Sequence, residues 1–247
     1  MNIKQYLDST YLKTAEQAEV SEAENSKITQ SFIQEAIDEH FKLIMIRPEV
    51  VSIAKEMITA AKSKVDIGTV IDFPRGQADI AIKLQQARQA IEDGADDLDF
   101  VCNYEAFKNG DVALVKNEIL KCTQLGLENH KVVKWIIEVA ALTHQQIIQL
   151  SSLIKKVVVT HFKEEHYASV FVKSSTGFYK TDDNLPNGAT IETIIMMLEN
   201  AAPLPVKAAG GVRTYQEAEA MIRLGVKRIG TSGAKTIADG KVSDSNY

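Results

Sequence analysis

The sequence predicts one α/β domain, a (β/α)8 or TIM barrel with a short N-terminal extension, over residues 1–247. Three observations predict it. Eight short apolar runs alternate along the chain with stretches of helical periodicity. Such a barrel needs about 250 residues, and the chain has 247. No linker or repeat divides the chain, and we expect only residues from about 236 to 247 to form a flexible tail.

The predicted strands are, in order, 6–12, 43–46, 66–71, 97–102, 132–138, 170–173, 205–209 and 228–231. Between the third and fourth strands, Ile80, Leu84, Ala87 and Ile91 fall on one helical face. Residues 157–160 are β-branched and would suit a ninth strand, but we assign them to the helix that precedes the sixth strand. A doubly wound sheet is the alternative, although it would require a glycine-rich turn after the first strand.

Composition narrows the classes of function. The chain is 45% hydrophobic and 25% charged with a net charge of −5, so no basic patch predicts nucleic-acid binding. No apolar run is long enough for a membrane span, and the first residues do not form a signal peptide. Cys102 and Cys122 are predicted to be free thiols, which favours a reducing, cytoplasmic location. His161 and His166 lack the spacing of a helical zinc pair, so no metal is expected.

A lysine at the end of the sixth strand is the main chemical signal. Lys173 follows an apolar run and precedes a small, hydroxyl-rich turn. Burial lowers the pKa of a lysine, and a neutral amine attacks carbonyl carbons to form Schiff bases. Asp99, Lys134 and Lys207 lie on other predicted strands, where they can face inward with Lys173. Lys207 would then disfavour protonation of Lys173, and Asp99 could accept and return a proton. The alternative interpretation is a purely structural ion network.

Glycine-containing turns follow the last three predicted strands. Loops at this end of a barrel commonly bind phosphate, because glycine lets backbone N–H groups approach an anion. We therefore expect a phosphorylated substrate at the turns that contain Thr176, Gly177, Gly210, Gly211, Ser232 and Gly233.

The motifs VKSSTGF, VKAAGGVRT, GADDLDFV and RIGTSG, in this order, resemble the deoxyribose-phosphate aldolase family of class I aldolases. The resemblance extends from YLDSTYLK to RIGTSG and includes VIDFPRG. It implies that Lys173 forms the Schiff base and that Lys207 and Asp99 transfer protons. It also implies reversible cleavage of 2-deoxy-D-ribose 5-phosphate to D-glyceraldehyde 3-phosphate and acetaldehyde, without a cofactor. By motif, Asp8 and Thr10 correspond to the active-site edge of the first strand.

The chain departs from the family pattern at several positions. Ser9 stands where a histidine is frequent, Met45 where a cysteine is usual, and Ser232–Gly233 where two serines are frequent. Tyr247 could reach into the site to assist proton transfer, or could belong to a disordered tail. Two other functions stay open: a Schiff-base aldolase or transaldolase with another donor, and an inactive sugar-phosphate binding protein. A homodimer is expected because two-fold dimers are the commonest assemblies.

Overall fold

The structure, a computed structural model, describes residues 1–182 and 185–241 and confirms the predicted barrel. Within these residues, eight parallel strands close on themselves in the order of the sequence. Each observed strand lies within two residues of a predicted one. The strands are β1 (Leu7–Tyr11), β2 (Leu43–Ile46), β3 (Asp66–Ile71), β4 (Asp97–Val101), β5 (Val132–Ile136), β6 (Val170–Lys173), β7 (Val206–Ala209) and β8 (Arg228–Thr231).

Helices connect the strands, as the alternating pattern predicts. The N-terminal extension is the 3-10 helix Ile3–Tyr6, which buries Ile3. Further 3-10 helices span Pro48–Val50, Val139–Ala141 and Glu164–Ser169. The α-helices of the described ranges are α1 (Ala15–Ala18), α2 (Glu22–Glu39), α3 (Val51–Ala60), α4 (Ile80–Glu92), α5 (Tyr104–Lys108), α6 (Val112–Glu128), α7 (His144–His161), α8 (Ile191–Ala201), α9 (Tyr215–Leu224) and α10 (Ala234–Ala238).

The β-branched segment before β6 is helical, as expected, despite its strand propensity. It forms the last turns of α7, which begins at a capping box between Thr143 and Gln146. The buried residues of α7 recur at helical spacing, among them Ile147, Leu150, Ile154 and Val158. Burial of this continuous apolar stripe outweighs the modest preference of valine for strands.

Part of the segment that we expected to be a flexible tail is helical. Helix α10 includes residue 236, where we expected a flexible tail to begin, and its Ile237 is fully buried. Residues 242–247 lie outside the described part. Among the described residues, no helix is both long enough and apolar enough to cross a membrane.

The barrel interior is divided into an apolar half and a charged half. On β2 and β3, Leu43, Met45 and Val70 form a small apolar cluster. A Cβ at residue 68 in this half would lie 2.5 Å from Met45 Cε, so a larger residue there requires the Met45 side chain to move. Inward positions on β1, β4, β5, β6, β7 and β8 instead carry buried charges. A second apolar layer packs the helices against the outside of the strands.

Candidate active site

Strand register brings the predicted catalytic side chains together. Lys173 and Lys207 are direct register partners on β6 and β7, and Asp99 is the partner of Lys134 across β4 and β5. Matched residues of neighbouring parallel strands lie about 4.8 Å apart and point to the same face. Lys173 is the last residue of β6. It therefore lies at the C-terminal end of the barrel, where barrel enzymes have their active sites.

Asp99 is the centre of this arrangement and is fully buried. Its Oδ2 accepts hydrogen bonds from Lys173 Nζ at 2.9 Å and from Lys207 Nζ at 3.0 Å. Its Oδ1 accepts from Lys134 Nζ at 2.8 Å. One carboxylate thus accepts hydrogen bonds from three lysines. A proton can pass between Lys173 and Lys207 through a single oxygen atom, Asp99 Oδ2.

Further ion pairs connect Asp99 to other buried charged side chains and form a closed ring. Lys207 Nζ lies 2.6 Å from Asp8 Oδ2, and Arg228 Nε donates to Asp8 Oδ1 at 2.6 Å. Arg228 Nη2 also lies 3.5 Å from Asp97 Oδ2, which accepts from Lys134 Nζ at 2.6 Å. The charge ring, as we call it, alternates in sign and comprises Asp8, Lys207, Asp99, Lys134, Asp97 and Arg228.

The charge ring is balanced without Lys173. It contains three carboxylates and three cations, so an ammonium at Lys173, which shares Asp99 with Lys207, gives these seven side chains a net positive charge. Burial and the Lys207 ammonium lower the pKa of Lys173 to about 8, although Asp99 acts in the opposite direction. About a tenth of Lys173 is therefore a free amine at pH 7, and the free amine is the form that attacks a carbonyl carbon.

Lys207 and Asp99 keep their charges in the resting site. Burial alone would lower the pKa of Lys207, but Asp8 and Asp99 raise it above its usual value. Burial alone would raise the pKa of Asp99, yet Lys134, Lys173 and Lys207 hold it well below its usual range. Lys207 is thus protonated and Asp99 ionised in the resting site.

Lys134→Met tests the balance of charge. The variant leaves three carboxylates against Lys207 and Arg228, so we expect Lys173 to take up a proton and its pKa to rise. Wild-type kcat/KM should increase with pH through about 8, because only the neutral amine reacts. In the variant this increase should move to higher pH. The value of kcat/KM should be roughly tenfold lower than that of the wild type at pH 7 and should recover at alkaline pH. If the increase of kcat/KM stayed at about pH 8 in the variant, the balance of charge would not set the pKa of Lys173.

The turns after β6 and β7 have the backbone shape that glycine allows. Gly177, Gly210 and Gly211 have φ values of 84°, 78° and 85°, where other residues are strained. The β7 turn also packs against another stretch of backbone, since a Cβ on Gly188 would lie 2.4 Å from the Gly210 carbonyl oxygen. Beside Gly177 lies a cavity of 550 Å³ whose lining includes Lys13 and Lys180. The two lysines give the lining of this cavity positive charge.

The remaining predicted residues have different surroundings. The Thr10 hydroxyl donates to the backbone oxygen of Asp8 at 2.9 Å. The Thr176 hydroxyl donates to Glu138 and accepts from Phe178 N at 3.0 Å. Gly233, next to Ser232 after β8, donates its N–H to Thr231 Oγ1 at 3.1 Å. Tyr247 lies outside the described residues.

Sequence reasoning missed three participants. Arg228 and Asp97 close the charge ring, and the period-two alternation of β8 and β4 could have placed both inside the barrel. Glu138 follows β5 with a φ of 56°, is buried, and holds the Thr176 turn through its Oε2. Burial raises the pKa of Glu138. Its Oε1 makes no hydrogen bond within the described part of the chain.

No group of three or more histidine, cysteine or acidic side chains among residues 1–182 and 185–241 is arranged to hold a metal ion. Cys102 and Cys122 are both free and buried. Burial raises the pKa of each thiol, for Cys122 to about 12. Neither thiol is therefore a ready nucleophile or metal ligand.

A buried lysine of lowered pKa at the C-terminal end of a barrel is the arrangement expected of an aldolase that works through a Schiff base. A model of the DeoC/LacD family of aldolases matches residues 8–237. The chain belongs to this family.

Relatives with known names agree with this assignment. A deoxyribose-phosphate aldolase of Thermococcus gammatolerans is 37% identical over 241 residues, which are 97% of this chain and 96% of the relative. One from Streptococcus pneumoniae (strain Hungary19A-6) is 35% identical over 248 residues, covering 100% of both chains. The solved tetrameric deoxyribose phosphate aldolase of Aeropyrum pernix superposes with a TM-score of 0.77 at 25% identity. That alignment covers 96% of this chain and 89% of the other.

Proposed function

We propose that this chain catalyses the reversible cleavage of 2-deoxy-D-ribose 5-phosphate to D-glyceraldehyde 3-phosphate and acetaldehyde. The observation that carries the proposal is the position of Lys173, which ends β6, has a pKa of about 8 and donates to Asp99 Oδ2 beside Lys207. The family membership of the chain and the names of its relatives point to the same reaction.

The chemistry begins with covalent capture of the substrate. The neutral amine of Lys173 attacks the C1 aldehyde of the open-chain sugar and forms a carbinolamine. One proton of the Lys173 nitrogen passes through Asp99 to the former carbonyl oxygen, which becomes the carbinolamine hydroxyl group. The Lys207 ammonium supplies the second proton that this hydroxyl group needs to leave, directly or through water, and Lys207 becomes a neutral amine. Water leaves, and the product is an iminium ion.

The iminium ion then accepts the electrons of the carbon–carbon bond. The neutral Lys207 amine takes the proton of the C3 hydroxyl group, directly or through water, and the C2–C3 bond breaks with its electron pair becoming the enamine of acetaldehyde on Lys173. D-Glyceraldehyde 3-phosphate leaves. Lys207 returns a proton to C2, directly or through water, which restores an iminium ion. Addition of water then releases acetaldehyde and the free amine of Lys173, and the proton set free recharges Lys207. The same steps in reverse form the bond.

The residues of the site have different roles in this proposal. Asp99, Lys173 and Lys207 are the catalytic residues of this proposal. Asp8 forms an ion pair with Lys207 and raises its pKa, which keeps Lys207 protonated. Glu138 accepts a hydrogen bond from Thr176 N and so holds the turn after β6. We assign substrate and phosphate binding to Asp8, Thr10, Thr176, Gly177, Gly210, Gly211, Ser232 and Gly233. We further propose that the protein acts in the cytoplasm as a homodimer without metal or cofactor, and light scattering measures the assembly directly.

Borohydride trapping tests the reaction and its nucleophile together. The protein is mixed with 2-deoxyribose 5-phosphate and reduced, and peptide mass spectrometry locates the adduct. An adduct on Lys173, with acetaldehyde released in the unreduced sample, supports the proposal. A trapped adduct without acetaldehyde would indicate a Schiff-base enzyme with another donor. A folded protein that neither traps nor cleaves the sugar phosphate would indicate a binding protein.

Deletion of residues 245–247 tests the role of Tyr247. We propose that its phenol assists proton transfer at the methyl carbon of bound acetaldehyde. The truncated protein should exchange the methyl protons of acetaldehyde with deuterated water roughly tenfold more slowly, as followed by NMR, while its melting temperature is retained. Tyr247→Phe is the matched variant and should lose as much. An unchanged exchange rate would reject the role.

A further inference from the structure

A buried ion pair outside the barrel is not used by the chemistry described above. Lys83 on α4 and Glu118 on α6 are both fully buried, and Lys83 Nζ donates to Glu118 Oε2 at 2.8 Å. Lys83 Nζ also donates to the backbone oxygens of Gly76 at 2.9 Å and Val101 at 2.8 Å. All three ammonium protons therefore have acceptors. Replacing such a pair with apolar residues is often neutral for stability, so stability alone gives no reason for this one.

The pair joins the two loops that follow β3 and β4. Gly76 lies in the first loop, and Val101 ends β4 immediately before the second. Glu118 Oε1 accepts from the backbone N–H of Asn103 in the second loop at 3.0 Å. The loops also touch directly, because a Cβ on Gly76 would lie 2.5 Å from the Cys102 carbonyl oxygen. Both loops lie at the C-terminal end of the barrel, where the candidate active site is.

The loop after β3 carries an aromatic residue to the barrel mouth. Phe73 packs against two apolar clusters. One contains Val70 of β3, and the other contains Val101 of β4 and Ile136 of β5, the register partner of Lys173. The ring of Phe73 meets the ring of Phe178 edge-on, with centroids 5.1 Å apart. The Arg47 guanidinium lies 5.4 Å from the centre of the Phe73 ring. Phe178 directly follows Gly177 in the turn assigned to phosphate.

These contacts form one continuous path from the ion pair to the Gly177 turn. Lys83 holds the Gly76 end of the loop, the loop places Phe73, and Phe73 supports Phe178. We infer that Lys83 and Glu118 are positioning residues, which fix the aromatic wall of Phe73 and Phe178 and thereby hold the Gly177 turn ready for the phosphate group. This inference rests on the proposed function.

The double variant Lys83→Met/Glu118→Leu tests the inference. It removes both charges of the pair together, so neither remains buried without the other, but it releases Gly76, Val101 and Asn103. It also removes the ammonium that lies 3.3 Å from Asp72 Oδ2 in the loop after β3. We expect KM for 2-deoxyribose 5-phosphate to rise by about tenfold. The fall in kcat/KM should be at least about fivefold smaller with unphosphorylated 2-deoxyribose. Hydrogen exchange should accelerate in residues 72–79 and 176–181, with the rest of the barrel unchanged.

Two further variants keep the test decisive. Phe73→Leu leaves the ion pair intact and removes the aromatic contact, so it should show the same selective loss; combining it with the double variant should add little. Lys42→Met/Asp66→Leu removes an ion pair at the opposite end of the barrel and should leave both substrates unaffected. Equal losses for the two substrates, or unchanged exchange in residues 176–181, would overturn the inference. Failure of the wild-type protein to cleave the sugar would instead reject the proposed function, and the exchange measurement would still test the positioning.

Discussion

Lys173→Leu is expected to reduce kcat/KM by roughly 10⁴-fold or more while the protein keeps its fold. The variant has no amine to form the iminium ion, so the electrons of the C2–C3 bond have no acceptor. The charge ring explains the retained fold. Without Lys173, Asp99 still accepts hydrogen bonds from Lys134 and Lys207, and three carboxylates still face three cations.

Two measurements separate lost chemistry from lost structure. Borohydride trapping should give no adduct in the variant, while its melting temperature should stay within a few degrees of the wild-type value. Lys227→Leu is a suitable control, because Lys227 is an exposed lysine that immediately precedes β8. It should retain full activity and trapping at Lys173. If Lys173→Leu still cleaved the sugar phosphate at a comparable rate, another nucleophile would have to carry the reaction.

Lys207→Leu is expected to have the second largest effect, through two separable causes. The first is electrostatic: Lys207 lowers the pKa of Lys173, and without it three carboxylates face only Lys134 and Arg228. Lys173 should then become protonated, and the alkaline rise of kcat/KM should move above pH 8. The second cause is the loss of the proton donor, which typically costs a factor of about 10² to 10⁴. Raising the pH should therefore recover only part of the activity.

Lys207→Arg separates these two causes. It keeps a positive charge between Asp8 and Asp99 but replaces the ammonium with a guanidinium that does not release its proton. The rise of kcat/KM should stay near pH 8, and the maximal rate should still fall. Complete pH–rate profiles of the wild type and both variants give the comparison. An unchanged profile in Lys207→Leu would show that Lys207 neither tunes Lys173 nor transfers protons.

Much of the fold and part of the site follow from local signals. The strands were recognised because each is a short apolar run bounded by helical periodicity. The capping box of Thr214 and Glu217 at the start of α9 is a local signal of the same kind. Alternation within a strand is enough to place Lys134 on one face of β5 and Asp99 on one face of β4. The glycines after β6 and β7 have the positive φ values that such turns require.

The burial of Lys83 could not be predicted from the local sequence pattern. The α4 pattern predicts a buried face made of Ile80, Leu84, Ala87 and Ile91, yet the buried residues of that helix are Lys83, Ala87 and Ala90. The acceptors of Lys83 come from the loop after β3, from the end of β4 and from α6, a helix that begins 29 positions later. No periodicity within α4 contains this information, because a buried charge depends on partners that the helix itself does not supply.

The sequence by itself determined the barrel, the strand that ends in Lys173 and the chemical class of the site, because apolar periodicity and motif spacing are local properties of the chain. The tertiary structure decided which charges compensate one another. Asp8 and Arg228 are 220 residues apart in sequence, and Asp99 and Lys207 are 108 apart, yet both pairs are hydrogen-bonded. Closure of the barrel makes these contacts and balances the ring without Lys173. Since electrostatic energy depends on distance and burial and not on sequence separation, only the closed barrel could set the pKa of the nucleophile.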